Sequence, residues 1–190
     1  MAFDIEAKKI KGRDFPLARL SYPALIEPKA FQGKGEAKYS ATLLISKKDP
    51  KLKLLQEKIN AAMTEKFGAE AKWPKRWMNP LRDGDEEKPD QPAYRGMVFV
   101  KAGAKEDKRP QCLGPDGDLL DPSELYPGCW VKASVIAYAY EYMGKSGAGF
   151  ALKGIQKVKD GDRFDNADVS SEFDSVSSTD GSEDEENYED

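Results

Sequence analysis

"CWVKASVIAYAYEYMG" (Cys129–Gly144) carries the longest strand-like alternation in the chain. Side chains of a β-strand point to opposite faces in turn, so its two faces are read off alternate positions. Val131, Ala133, Val135, Ala137 and Ala139 make one face small and apolar, suited to a tight core. Trp130, Lys132, Ser134, Ile136, Tyr138, Tyr140 and Tyr142 share the other. "GKSGAG" (Gly144–Gly149) then reads as a turn, and "FALKGIQKVK" (Phe150–Lys159) as the returning partner strand.

Working outward, "YSATLLISK" (Tyr39–Lys47) is a further strand, with Tyr39, Ala41, Leu43 and Ile45 on one face. A helix follows, with Asp49 as N-cap and Pro50 at the first helical position. Leu52, Leu55, Ile59, Ala62, Met63 and Phe67 recur at three- and four-residue steps, and Gly68 supplies the stop. "PLARLSYPALIEPKAF" (Pro16–Phe31) reads as an edge or bent strand because of Pro23 and Pro28. "YRGMVFVKAGA" (Tyr94–Ala104) is another strand, and Pro115-Asp116-Gly117 turns a short hairpin. The segment between helix and strand, Ala71 to Tyr94, holds four prolines and reads as a long loop, either functional or disordered. The fold expected is mainly β with one principal helix: a small closed barrel of about five principal strands, with a smaller hairpin and long loops.

Charge is unevenly spread over the 190 residues. Residues 160–190 hold 13 acidic side chains and one basic, so this segment is −12 while residues 1–159 are +8. That split suggests a body that binds a polyanion and an acidic tail. Residues 1–159 are therefore expected to be one domain, loosely ordered over 1–14, and residues 160–190 a disordered tail that cannot bury enough apolar surface to fold. As a flexible coil the tail spans about 30 Å end to end, enough to reach a basic groove and compete for it.

Histidine is absent, which excludes histidine-based triads and the common histidine metal centres. Cys112 and Cys129 are expected to be inert thiols in a reducing compartment. No apolar run is long enough for a membrane span or signal peptide, so the expected location is the cytoplasm. "GKS" (Gly144–Ser146) is not a phosphate-binding loop: Ala139 stands where its first glycine belongs, and a strand follows rather than a helix. "DGDRFDNAD" (Asp160–Asp168) resembles a calcium loop in composition, but Phe164 takes a ligand position. "DGDEE" (Asp83–Glu87) offers carboxylates to a magnesium-dependent nuclease, without a second cluster to complete a two-metal site. No cofactor and no metal are expected.

The residues that suit a polyanion are aromatics interleaved with cations. Tyr138, Tyr140 and Tyr142 either stack bases from a groove or pack under the helix and long loop. "KWPKRW" (Lys72–Trp77) combines Trp73 and Trp77 with Lys75 and Arg76, the mixture that stacking and phosphate neutralisation require. Arg82, Tyr94, Arg95, Lys101 and Lys132 extend this candidate nucleic-acid-binding set.

With these residues the body, from about 12 to 159, resembles phage single-stranded-DNA-binding proteins of the oligonucleotide-binding (OB) fold, in particular a group first known only as a domain of unknown function, which makes the expected barrel a five-stranded OB-fold-like one. "FPLARLSYPALIEPKAF" (Phe15–Phe31) and "YSATLLISKKDPKLKLLQEKI" (Tyr39–Ile59) carry the resemblance. "SEDEENYED" (Ser182–Asp190) is similar to the acidic ends of single-stranded-DNA-binding proteins generally. Those ends usually finish on a hydrophobic or aromatic residue; here Glu189 and Asp190 follow Tyr188. The resemblance implies a non-enzymatic protein that coats and protects single strands during phage DNA replication, recombination or repair. Its tail (Asp184, Glu185, Glu186, Tyr188, Glu189 and Asp190) would dock replication or recombination proteins, and its removal would admit double-stranded DNA. The competing expectations are a magnesium-dependent DNA-processing enzyme and an acidic-tailed protein-interaction module.

Overall fold

A computed structural model describes residues 5–31 and 34–164 of the chain. In chain order the helices are α1 (Ile5–Lys8), α2 (Leu52–Phe67) and α3 (Gly84–Glu87). The strands are β1 (Lys9–Ile10), β2 (Ala18–Phe31), β3 (Lys34–Ser46), β4 (Arg82–Asp83), β5 (Met97–Lys105), β6 (Gln111–Leu113), β7 (Trp130–Tyr142) and β8 (Lys145–Lys159).

The alternation of β7 appears in space as it does in sequence. Val131, Ala133, Val135 and Ala137 are buried, while the residues between them are partly open. Against this face lie Leu55, Ile59, Ala62 and Met63 of α2, and Phe150, Leu152 and Ile155 of β8. Full burial of each large aliphatic in that stripe contributes roughly 1.5–3 kcal/mol. The helix stops at Gly68 as expected but begins two residues late: Lys51 is its N-cap, with no side-chain cap, and Asp49 and Pro50 precede it. Asp49 Oδ1 accepts from the Lys51 backbone N–H at 2.9 Å, just before the helix proper. At the other end Gly68 adopts φ 84° and donates its N–H to Thr64 O at 2.9 Å. Ile10 is also buried, pairing with Val135 of β7 and so holding the N-terminal segment against the core.

Five long strands form an OB-fold-like ring of pairings: β7 with β2, β2 with β3, β3 with β5, β5 with β8, and β8 with β7. The expected five-stranded barrel is nevertheless not what forms. Among the described residues one sheet holds eight strands, in the order β1-β7-β2-β3-β5-β8-β6 with β4 beside β5. Two seams of the ring are minimal: Ala18↔Val131 with Arg19↔Trp130, and Ala102↔Phe150 with Gly103↔Ala151. Just past the β7 seam, the register of β2 against β3 shifts between Ser21 and Ala24 and again between Ala24 and Lys29. Alternation reveals which residues make strands; it does not reveal how far two edges run together.

The β7–β8 turn also differs from expectation. It consists of Met143 (φ 49°) and Gly144 (φ 77°) alone, with Tyr142 paired to Lys145. Positive φ at both central residues is what a two-residue type I′ hairpin requires. The remaining glycines of "GKSGAG", Gly147 and Gly149, are strand residues. Among the described residues no helix is long and apolar enough to cross a membrane.

Candidate nucleic-acid interface

The ends of the long strands frame an open groove of about 1200 Å³. Tyr138, Tyr140 and Tyr142 line it from β7, and Tyr22 and Lys29 from β2. Lys38 of β3, Lys101 of β5 and Arg82 of β4 also face the groove.

Tyr138 and Tyr140 lie over cross-strand glycines, whereas Tyr142 pairs with Lys145. Tyr138 pairs with Gly149 and Tyr140 with Gly147. A Cβ on Gly149 would stand 2.6 Å from the Tyr138 hydroxyl oxygen, and one on Gly147 would stand 2.9 Å from that of Tyr140. The rings therefore lie across bare backbone, with centroids 6.4 Å apart and planes inclined by 48°. Tyr138 is 47% exposed and Tyr142 73%. Desolvation against the sheet, and then Tyr140, holds the Tyr138 phenol above its ordinary range, so it stays neutral at physiological pH.

Met78 completes this rim. Its N–H donates to Ser146 O at 2.8 Å and its carbonyl accepts from Ala148 N at 3.0 Å. That bridge runs parallel to β8 opposite Gly147, where a Cβ would come within 2.7 Å of Met78 O. It brings the chain after α2 into the groove, and Arg82 follows it there. On the other side Lys29 and Lys38 are direct cross-strand partners, and Lys38 is in turn opposite Lys105. A row of like charges across three strands is unfavourable by itself and is relieved by an anion.

The structure thus brings Arg82, Lys101, Tyr138, Tyr140 and Tyr142 into one groove. The other sequence candidates lie elsewhere. Trp73 and Trp77 are half-buried against the core, edge to face at 5.6 Å, and Trp73 Nε1 donates to Gly68 O at 2.9 Å. Lys75 and Arg76 are exposed between them. Tyr94 is 2% exposed, shares a 3.0 Å hydrogen bond with Ser21 Oγ, and meets the Phe99 ring edge-on. Burial raises its phenol above the usual range. Arg95 is exposed on the following turn, and Lys132 is half-buried on β7 outside the groove. Asp184, Glu185, Glu186, Tyr188, Glu189 and Asp190 lie outside the described residues.

Sequence reasoning missed Tyr22, Lys29, Lys38 and Met78. Tyr22 is 64% exposed at φ 44°, where β2 bulges, and its hydroxyl donates to Gln91 Oε1 at 3.3 Å. The signal for it was Tyr22-Pro23 inside a strand: proline in a strand marks an edge or bulge, and a bulge re-aims its side chains.

The carboxylates of "DGDEE" are engaged internally. Asp83 caps α3, accepting from the N–H groups of Asp85 and Glu86. Lys47 bridges Asp83 at 2.7 Å and Asp85 at 2.6 Å, and Asp85 also accepts from Gly96 N. The lysine holds both carboxyls below their usual range. Among the described residues no group of three or more histidine, cysteine or acidic side chains is arranged to hold a metal ion.

Comparison with known proteins adds a family. The family model described as Enterobacter phage Enc34, ssDNA-binding protein matches residues 10–187. Putative protein p50 of Acyrthosiphon pisum secondary endosymbiont phage 1 is 34% identical over 171 residues, covering 84% of this chain and 90% of the relative. The single-stranded-DNA-binding protein of bacteriophage Enc34, solved in complex with ssDNA, superposes with a TM-score of 0.69 at 29% identity, covering 82% of this chain and 88% of the other. Bacteriophage T7 gp2.5, a single-stranded-DNA-binding protein, superposes with a TM-score of 0.61 at 16% identity over 85% of this chain and 96% of its own, a likeness of fold alone.

Proposed function

We propose that this chain, which belongs to the family of the Enterobacter phage Enc34 single-stranded-DNA-binding protein, binds single-stranded DNA without sequence specificity in the tyrosine-lined groove. Its function is binding rather than catalysis. The observation that carries the reading is the tyrosine ladder laid over glycines, facing a groove that also holds Arg82, Lys101 and the Lys29–Lys38 pair. Aromatic faces accept any base, at roughly 1–3 kcal/mol per stacked base, and lysines track the backbone irrespective of sequence.

The same reading gives the protein a role in covering exposed single strands during phage DNA replication, recombination or repair. Residues 160–190 would act as an acidic tail that competes for the groove and recruits replication or recombination proteins through Asp184–Asp190. Its removal would let double-stranded DNA enter. Residues 165–190 lie outside the described residues; their −11 charge against the +7 of residues 1–164 supports this part of the reading.

The test is an equilibrium titration of the intact chain with single-stranded oligonucleotides of several sequences and with duplex, across salt. The expected result is similar affinity for all single strands, weaker binding of duplex, and a steep linear fall of log K with log salt. Strong preference for one sequence, or no binding at low salt, would refute it.

A further inference from the structure

Arg82 reaches the groove already occupied. Its Nε and Nη2 both donate to the Glu87 carboxylate, Nε at 2.7 Å to Oε2 and at 3.0 Å to Oε1. A carboxylate seated on that fork takes the position in which a guanidinium receives a phosphate. The pair is half-open to solvent, with side-chain exposures of 47% and 35%, and the guanidinium lies 5.7 Å from the Phe99 ring centroid.

Glu87 is placed there by a turn secured on several sides. Asp83 caps it, Lys47 ties Asp83 and Asp85 to β3, and Asp85 accepts from Gly96 N. Gly84 lies so close to the 94–97 backbone that a Cβ would meet Tyr94 O at 2.3 Å. The "DGDEE" segment, a surplus of acid beside a basic groove, thus acquires a use: it delivers one carboxylate to one groove cation.

We infer that Glu87 is a built-in competitor for DNA phosphate at Arg82, lowering affinity and blunting its salt dependence. This rests on the groove being the DNA site. When a phosphate takes the fork, Glu87 is released to water and draws a counterion of its own. Part of the counterion release that Arg82 would otherwise contribute is thereby cancelled.

The experiment is a titration with fluorescent oligothymidylate across salt, using the full chain and E87Q, R82Q, the double variant, and E86Q as a neighbouring charge control. E87Q should bind about two- to fivefold tighter at low salt, the range an exposed ion pair supplies. Its log K against log salt should steepen by up to about 0.7, one phosphate's share on a single strand. In the R82Q background E87Q should have little effect, and E86Q alone should change binding less than E87Q. An E87Q gain that persists without Arg82, an E86Q gain equal to it, or weaker binding by E87Q would each overturn the inference. Failure of the groove as a DNA site looks different: R82Q, E87Q and the double variant would all bind as the wild type does, or no form of the chain would bind at all.

Discussion

Tyr138 lies across Gly149, its partner on the neighbouring strand, so closely that a Cβ on the glycine would stand 2.6 Å from the phenolic oxygen. Gly149→Ala must therefore push the ring aside while leaving the strand intact. The expected result is DNA affinity reduced by about 1 kcal/mol, the low end for one stacked base. Stability should change by less than about 1 kcal/mol. Fluorescence anisotropy and thermal unfolding on the same sample check the two effects.

Tyr22 separates binding from stability in the opposite sense. Its φ of 44° is a left-handed conformation that costs a non-glycine residue about 1–2 kcal/mol. A glycine at this position would relieve that strain and remove an exposed ring from the groove. Tyr22→Gly is expected to hold or raise the melting temperature while weakening DNA binding, and Tyr22→Ala to weaken binding without the gain in stability. Equal affinity of both variants and the wild type would remove Tyr22 from the site.

The turn that carries Glu87 has a pH limit. Lys47 holds the Asp83 and Asp85 carboxyls below the ordinary value of 3.8. A carboxyl whose folded pKa is lowered stabilises the fold above its unfolded pKa, and that contribution is lost as pH falls through the folded value. The turn should therefore stay closed through neutral and mildly acidic pH and open only below about 3.8. Carboxyl carbon shifts followed by NMR should titrate below that value in the wild type and move up toward it in Lys47→Met, where the backbone N–H donors to Asp83 and Asp85 remain. Wild-type midpoints at or above 3.8 would contradict the clamp.

Truncation experiments depend on where the cut falls. Arg19 lies between the rings of Trp130 and Phe164, at 5.3 and 4.3 Å, and its Nη2 donates to Asp162 O at 2.7 Å. A Cβ on Gly161 would meet Gly128 O at 2.3 Å, so residues 160–164 lie tightly on the body. Cutting after Phe164 should tighten DNA binding, most at low salt, and leave the melting temperature nearly unchanged. Cutting after Lys159 removes this clasp as well and should lower stability. Equal stability of the two truncations would show that the clasp contributes nothing.

Much of this was legible in the chain itself, for identifiable reasons. The small face of β7 and the stripe Leu55–Ile59–Met63 could be read because one side of each element meets the core. Parity put Tyr138, Tyr140 and Tyr142 on the face opposite Val131, Ala133, Val135 and Ala137, but left open whether that face lines a groove or packs under the helix and long loop. What parity cannot show is why a residue is small. Gly147 and Gly149 looked like turn residues, whereas they are strand residues kept bare for the rings and for Met78. Nor can composition separate a stacking aromatic from a buttress: Trp73 and Tyr94 sit among cations and prolines, yet one bonds Gly68 and the other Ser21. The extent of the seams and the register of β2 around Tyr22 are set by long-range pairing.

The central claim is that the tyrosine ladder of β7 is the DNA-stacking surface. The measurement that tests it most directly is the affinity of a Tyr138→Ala, Tyr140→Ala, Tyr142→Ala variant for oligothymidylate at fixed salt, with circular dichroism confirming the fold. Loss of two or three stacked bases predicts a fall in affinity of roughly 30-fold or more, at about 1–3 kcal/mol per base. A folded variant that binds as tightly as the wild type would contradict the claim.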